Sequence, residues 1–191
     1  MSQRNTQVLN VSQILPESYA NGPGCRTVIW VQGCSLACPG CFNPQTHSLL
    51  GGAFLSIADL MTEIAASSNR VEGLTLTGGE PLQQQEPLLE LLKRVKNETR
   101  LSVAVFTGYS WNQTRELTRA NNLLQYVDVL IAGRYIRARH LATGLIGSSN
   151  KTIHFLTDRY NVSDFIDVPH AEVLIGSTGE IMVTGIDPPR L

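Results

Sequence analysis

Apolar and polar positions along this chain switch between two periods, and the switches mark its elements. The run Arg26 to Gln32 is β-branched and apolar through Thr27, Val28, Ile29, Trp30 and Val31. A short continuous run of that kind predicts a buried strand. From Ser56 the period lengthens: Ile57, Leu60, Met61, Ile64 and Ala65 recur at helical spacing. Ser56 is placed to cap the first turn, with Asp59 three positions on, so a helix is expected from Ser56 through Asn69. A second strand is expected from Gly73 to Thr77, then the turn Thr77-Gly78-Gly79-Glu80-Pro81, then a helix from about Glu86 to Lys96 carrying Leu88, Leu89, Leu91, Leu92 and Val95. The pattern repeats as a strand from Leu101 to Phe106, a polar turn from Thr107 to Ser110, a helix from Trp111 to about Asn121 and a strand from Val127 to Ala132.

Strands alternating with helices imply an α/β fold with a mostly parallel sheet. All strand C-terminal ends then share one edge, where ligands bind in such folds, and the turns after the first three predicted strands converge there. The strands are too few for a closed eight-stranded barrel, so an incomplete (partial) β/α barrel is expected. Further on, Val173-Leu174-Ile175 and Ile181-Met182-Val183 flank Gly176-Ser177-Thr178-Gly179, which signals a small C-terminal β-hairpin appendage. The expected organisation is a main unit over 1–160, with 161–191 as an extension of the same domain or an appendage to it.

Composition narrows the classes. A chain of 191 residues, 42% hydrophobic and 16% charged, is long enough to bury one core of its own. Its 15 basic and 16 acidic residues are mixed, without the block of Lys and Arg that a phosphate backbone demands, so nucleic acid is not an expected partner. Met1 to Asn21 is polar and interrupted by Pro16. It lacks the apolar stretch of a signal peptide or membrane span, and a cytoplasmic protein with no membrane partner is expected.

All four cysteines lie between Cys25 and Cys41, leaving none to staple the rest of the chain, and this clustering points to metal rather than disulfides. Cys34, Cys38 and Cys41 are separated by three and then two residues, close enough to grip one compact centre from a single loop. Soft thiolates suit iron-sulfur clusters, zinc or copper(I). On a four-iron cubane, three thiolates leave one iron open to a substrate or cofactor. The alternative is structural zinc completed by Cys25 or His47. A strand would carry Cys25 roughly 20 Å from Cys34, so Cys25 reads as a spare buried thiol; His47 is within reach but reads as an ordinary loop histidine.

These residues resemble a known family. The cysteine spacing matches the radical S-adenosylmethionine (radical SAM) signature, and Gly78-Gly79-Glu80-Pro81 matches that superfamily's GGE element. The approach Asn21-Gly22-Pro23-Gly24, the continuation Pro39-Gly40-Cys41-Phe42-Asn43, and the later segments Thr107-Gly108-Tyr109, Asp128 to Tyr135 and Gly147 to Asn150 are similar to the anaerobic ribonucleotide reductase activating proteins. The aromatic often found before the third cysteine is absent: Gly40 stands there and Phe42 follows.

The resemblance implies that Cys34, Cys38 and Cys41 hold a [4Fe-4S] cluster whose fourth iron chelates S-adenosyl-L-methionine. It places Gly78 and Gly79 against the methionyl part, Glu80 near its amino group, and Gly40 and Phe42 over the adenine. Tyr109, on the turn after the third predicted strand, reads either as an active-site residue or as a turn tyrosine packing on the domain. The implied activity is reductive cleavage of SAM to a 5′-deoxyadenosyl radical that makes a glycyl radical on a partner enzyme, anaerobic ribonucleotide reductase, with electrons from a donor such as flavodoxin or ferredoxin. Three alternatives stay open: an activase of another glycyl-radical enzyme, a small radical SAM enzyme for a metabolite or peptide, and a non-catalytic iron-sulfur or zinc module.

Overall fold

The computed structural model describes residues 7–143 and 145–186. The chain opens with β1 (Val8–Ser18) and β2 (Arg26–Val31), followed by β3 (Ala53–Ser56), α1 (Ile57–Ser67), β4 (Gly73–Gly78), α2 (Gln85–Glu98) and β5 (Ser102–Thr107). Next come α3 (Trp111–Glu116), α4 (Ala120–Leu124), β6 (Val129–Ala132), the short strands β7 (His140–Thr143) and β8 (Ile146–Ser148), and β9 (Thr152–Phe155). Two further strands, β10 (Ala171–Ile175) and β11 (Ile181–Gly185), pair antiparallel with each other.

The main sheet has the order β3-β1-β2-β4-β5-β6-β9. Its four central strands, β2, β4, β5 and β6, are parallel, while β1, β3 and β9 join antiparallel. The central strands follow one another in space as they do along the chain, so their helices need not change side, and they do not. Ile29, Val31, Leu74, Leu76, Val103, Val105 and Leu130 share one core with Leu60 and Ile64 of α1 and Leu88, Leu91 and Leu92 of α2. The alternate positions point the other way, as the period of two requires: Val28 and Trp30 meet Leu174 and Met182, and Val129 and Ile131 meet Phe165 and Val168. The second face is therefore covered mainly by the segment that follows β9, not by α-helices.

Helix α1 begins where the capping residues place it, with Asp59 N–H donating to the Ser56 hydroxyl at 3.1 Å. The helix expected from Trp111 to Asn121 is instead broken into α3 and α4. Leu117 leaves helical geometry at ψ 143° while its N–H caps the Thr114 carbonyl. β1 stands where no strand was expected. Pro16 sits in it at an irregularity of the pairing with β2 between Leu15 and Ser18, where a missing N–H breaks no ladder bond.

Asp128 ties the start of β6 to its neighbours. It is 3% exposed and accepts from Lys96 Nζ at 2.7 Å, the Val103 N–H at 2.7 Å and the Thr157 hydroxyl at 2.8 Å. Burial pushes its carboxyl upward, but these three donors outweigh it and hold the pKa below the usual Asp value. A depressed carboxylate stabilises the fold above the unfolded pKa, and that contribution disappears as pH falls through the folded value. Asp128→Ala is expected to lose about 2–4 kcal/mol in urea unfolding, because it leaves buried donors unpaired. Asp128→Asn is expected to flatten the loss of melting temperature below about pH 4.

Candidate active site

A cavity of about 280 Å³ opens at the C-terminal ends of β2, β4 and β5. The loop after β2 brings Cys34, Cys38 and Cys41 to its wall, the turn after β4 brings Gly78, Gly79 and Glu80, and the turn after β5 brings Thr107 and Gly108. Phe42 and His47 also line it; Gly40 is exposed and does not. Cys25 is buried on the N-terminal side of β2, away from the cavity, with its N–H on Glu72. Tyr109 packs against the helix-side core and its hydroxyl accepts from Gln83 Nε2 at 3.2 Å.

The cysteine loop is held by main-chain bonds. Gly33 N–H donates to Thr46 O at 2.8 Å and Cys34 N–H to His47 O at 3.1 Å, while Cys41 N–H closes a turn on Cys38 O at 3.1 Å. Gln32 reaches from the end of β2 to the Ser48 carbonyl at 2.7 Å. Ala37, between the first two cysteines, has φ 45°, a left-handed backbone that a non-glycine residue adopts only where its surroundings impose it. Burial pushes the Cys34 and Cys41 thiols up, opposed by main-chain N–H groups of Leu36 and Ala37 on Cys34 and of Asn43 on Cys41. Among the described residues no three His, Cys, Asp or Glu side chains stand close enough together to hold a single metal ion. The three half-buried thiols instead face one cavity at wider spacing, a donor set that fits a cluster whose thiolates bind different irons.

The turn after β4 has a reason of its own for its glycines. A Cβ on Gly78, at φ 97°, would lie 2.7 Å from Trp30 Cβ, and one on Gly79 would lie 2.4 Å from the Gly33 carbonyl oxygen. The N–H groups of Gly79 and Glu80 are spent on Val31 O at 2.8 Å and Gly33 O at 2.9 Å. Close approach to β2 and the start of the cysteine loop therefore demands both glycines.

Glu80 is 1% exposed and already occupied. Its Oε1 accepts from the Leu82 N–H at 2.9 Å and the Thr107 hydroxyl at 2.8 Å, and its Oε2 accepts from the Gly108 N–H at 2.7 Å. Burial raises its pKa, and these donors oppose the rise. The side chain joins the turns after β4 and β5 into one rim.

Sequence reasoning missed Lys151, the one Lys or Arg on the cavity wall among the described residues. It precedes β9, donates to the Gly133 carbonyl, and has its pKa lowered by burial, opposed by the charges of Glu80, Cys38 and Cys41. Its only sequence signal is its place directly after Gly147-Ser148-Ser149-Asn150. Also missed as site residues were Met182 to Ile186, which line the cavity from the C-terminal side.

Residues 20–154 match the family described as a 4Fe-4S single cluster domain. Relatives from several organisms carry the name anaerobic ribonucleoside-triphosphate reductase-activating protein. The one from Enterobacteria phage T4 is 35% identical over 78% of this chain and 96% of its own. That of Haemophilus influenzae is 34% identical over 76% and 97%, and that of Escherichia coli K12 30% identical over 78% and 99%. The crystal structure of QueE from Escherichia coli overlaps 58% of this chain and 59% of that one at TM-score 0.45 and 20% identity. With three thiols on one cavity wall, and near-complete relatives aligned across most of its length, the chain belongs to the anaerobic ribonucleoside-triphosphate reductase-activating proteins.

Proposed function

We propose that this protein is a radical SAM activase that makes a glycyl radical on an anaerobic ribonucleotide reductase, with Cys34, Cys38 and Cys41 as the ligands of a [4Fe-4S] cluster. The observation that carries the reading is the convergence of these three thiols with Glu80 and Lys151 on one cavity at the C-terminal edge of the sheet. When bound, the cluster and S-adenosylmethionine supply one-electron cleavage of a carbon-sulfur bond and hydrogen abstraction from a glycine.

The chain's own part is to hold, orient and enclose. The cysteine loop, pinned by Thr46 and His47, fixes the thiols before the cluster arrives. Gly78 and Gly79 line the part of the cavity where the methionyl part would lie, and Phe42 lines the part where the adenine would lie. Lys151 places a cation where a carboxylate needs one. The one-directional order of β2, β4, β5 and β6, with helices on one face, supports an open barrel fragment over 1–160. Residues 161–186 serve as an extension that covers its inner face.

Lys151→Met is expected to weaken SAM binding by about 1.5–3 kcal/mol, the range for a hydrogen bond to a charged group, as read by calorimetry on reconstituted protein. The assignment itself is tested by anaerobic incubation with SAM, a reductant and the reductase. Partner-dependent SAM cleavage, a glycyl radical by electron paramagnetic resonance, and deuterium passing from the target glycine into 5′-deoxyadenosine are expected. Fast turnover with a metabolite alone, and no label from any protein glycine, would overturn the activase assignment.

A further inference from the structure

Strand β11 stands beside the cavity in an unusual orientation. Five consecutive residues, Met182 to Ile186, line it, whereas β10 contributes none. Because neighbouring residues of a strand point to opposite faces, a consecutive lining run means that β11 presents its edge to the cavity rather than one face. That edge is the one turned away from β10.

The register shows what the edge offers. Ile186 N–H donates to His170 O at 3.0 Å and Gly176 N–H to Glu180 O at 2.8 Å, bracketing a ladder in which Glu172 faces Thr184 and Leu174 faces Met182. Hydrogen-bonded and non-bonded pairs alternate in an antiparallel ladder, so Thr184 and Met182 spend their main-chain groups on β10. Ile181, Val183 and Gly185 turn theirs away from β10, and of these Val183 and Gly185 line the cavity. Among the described residues no strand pairs with that edge.

The hairpin is anchored well enough to act as a template. Leu174 and Met182 pack on Leu15, Val28 and Trp30. Asn21 Nδ2 donates to Thr184 Oγ1 at 2.9 Å, and Glu172 accepts from the Ser18 hydroxyl at 2.7 Å and the Tyr19 N–H at 3.1 Å. The hairpin also lies past residue 154, where the family match ends, and relatives aligned over 96–99% of their own length cover 78% of this chain.

We propose that the free edge of β11 is a docking edge for an extended segment of the polypeptide substrate, which adds to it as a third strand and crosses the cavity mouth. This rests on the activase reading above. A glycine has no side chain to be recognised, so a site that must present one gains its hold from the main chain on either side of it, and strand addition supplies that hold. Val183 and Gly185, two of the residues with unpaired main-chain groups, line the same cavity as Cys34, Cys38 and Cys41, which places the incoming segment alongside the site.

The test uses the full chain, reconstituted anaerobically and loaded with SAM. The probe is a short fluorescent peptide centred on the target glycine of the reductase from the same genome, followed by anisotropy. N-methylating its amides one at a time is expected to weaken binding about tenfold at alternate positions and to change it less than about twofold between them, because only every second amide faces the edge. Val183→Pro, which removes a donor from the free edge and spares the ladder to β10, is expected to weaken binding about tenfold, and Val183→Thr to leave it within about twofold. A flat N-methyl scan on the unmodified protein overturns the proposal. So does unchanged binding in Val183→Pro. A flat scan together with dimerisation that Val183→Pro abolishes assigns the edge to a second copy of the chain. Failure of the activase reading is distinct, because it appears as a chain that takes up no iron or binds no SAM.

Discussion

Cys38→Ala is expected to abolish iron uptake, and Cys34→Ala and Cys41→Ala likewise, whereas Cys25→Ala keeps it. The difference follows from placement. Cys34, Cys38 and Cys41 share one cavity wall on a single loop, while Cys25 is buried on the far side of β2 against Glu72. Removing one of three thiolates leaves an iron corner without a protein ligand, and cluster assembly is then lost outright because metal binding is cooperative across its ligands. The measurement is iron and sulfide per chain after anaerobic reconstitution, with the visible absorbance of the cluster. The unmodified chain is expected to carry one four-iron cluster. Stoichiometric zinc without iron absorbance would sink the assignment, as would a Cys38→Ala protein with a full complement of iron.

Glu80→Ala is expected to destabilise the protein by about 3–5 kcal/mol, a larger effect than loss of one ligand contact. Truncation leaves the Thr107 hydroxyl and the N–H groups of Leu82 and Gly108 facing a buried space without their acceptor, and unpaired buried donors carry their full desolvation cost. Iron uptake should fall with stability, since the rim that borders the cysteine loop loosens. Glu80→Gln keeps one acceptor oxygen and most of the shape, so it separates the two roles. If its folded fraction binds SAM normally, Glu80 is a positioning residue that ties two turns together; if SAM binding weakens while urea stability holds, the carboxylate reaches the cofactor as well. Unchanged urea stability in Glu80→Ala would contradict the hydrogen-bonded rim.

The repeating strand and helix units were legible in the sequence because their signals are local. A buried run, a capping serine and helical spacing each depend on a few neighbours, and β2, α1, β4, α2 and β5 stand within a residue or two of expectation. β1 was not legible. Its pairing to both β2 and β3 is a long-range matter, and Pro16 within it argues against a strand until the irregular register is seen. The broken helix after Trp111 was hidden for a similar reason, because nothing in the spacing of apolar residues requires the chain to turn out at Leu117. The cysteine triplet was readable from spacing alone. The work of the paired glycines was not: their sequence suggests room for a ligand, while their neighbours show that Trp30 and Gly33 already fill it. Lys151 was invisible because a lone lysine is ordinarily a solvated surface residue, and only the fold reveals that this one is half-buried at a cavity.

The hairpin after β9 also carries a consequence for the order in which the molecule takes shape. Its anchors, Ser18, Tyr19 and Asn21, precede the cysteine loop along the chain, and Glu172 and Thr184 follow it by well over a hundred residues. Throughout translation the cysteine loop therefore emerges, and its strands can pair, while the C-terminal wall of the cavity does not yet exist. A nascent chain offers its thiols to a cluster donor across an open flank, and only a chain extended through β11 draws that flank shut.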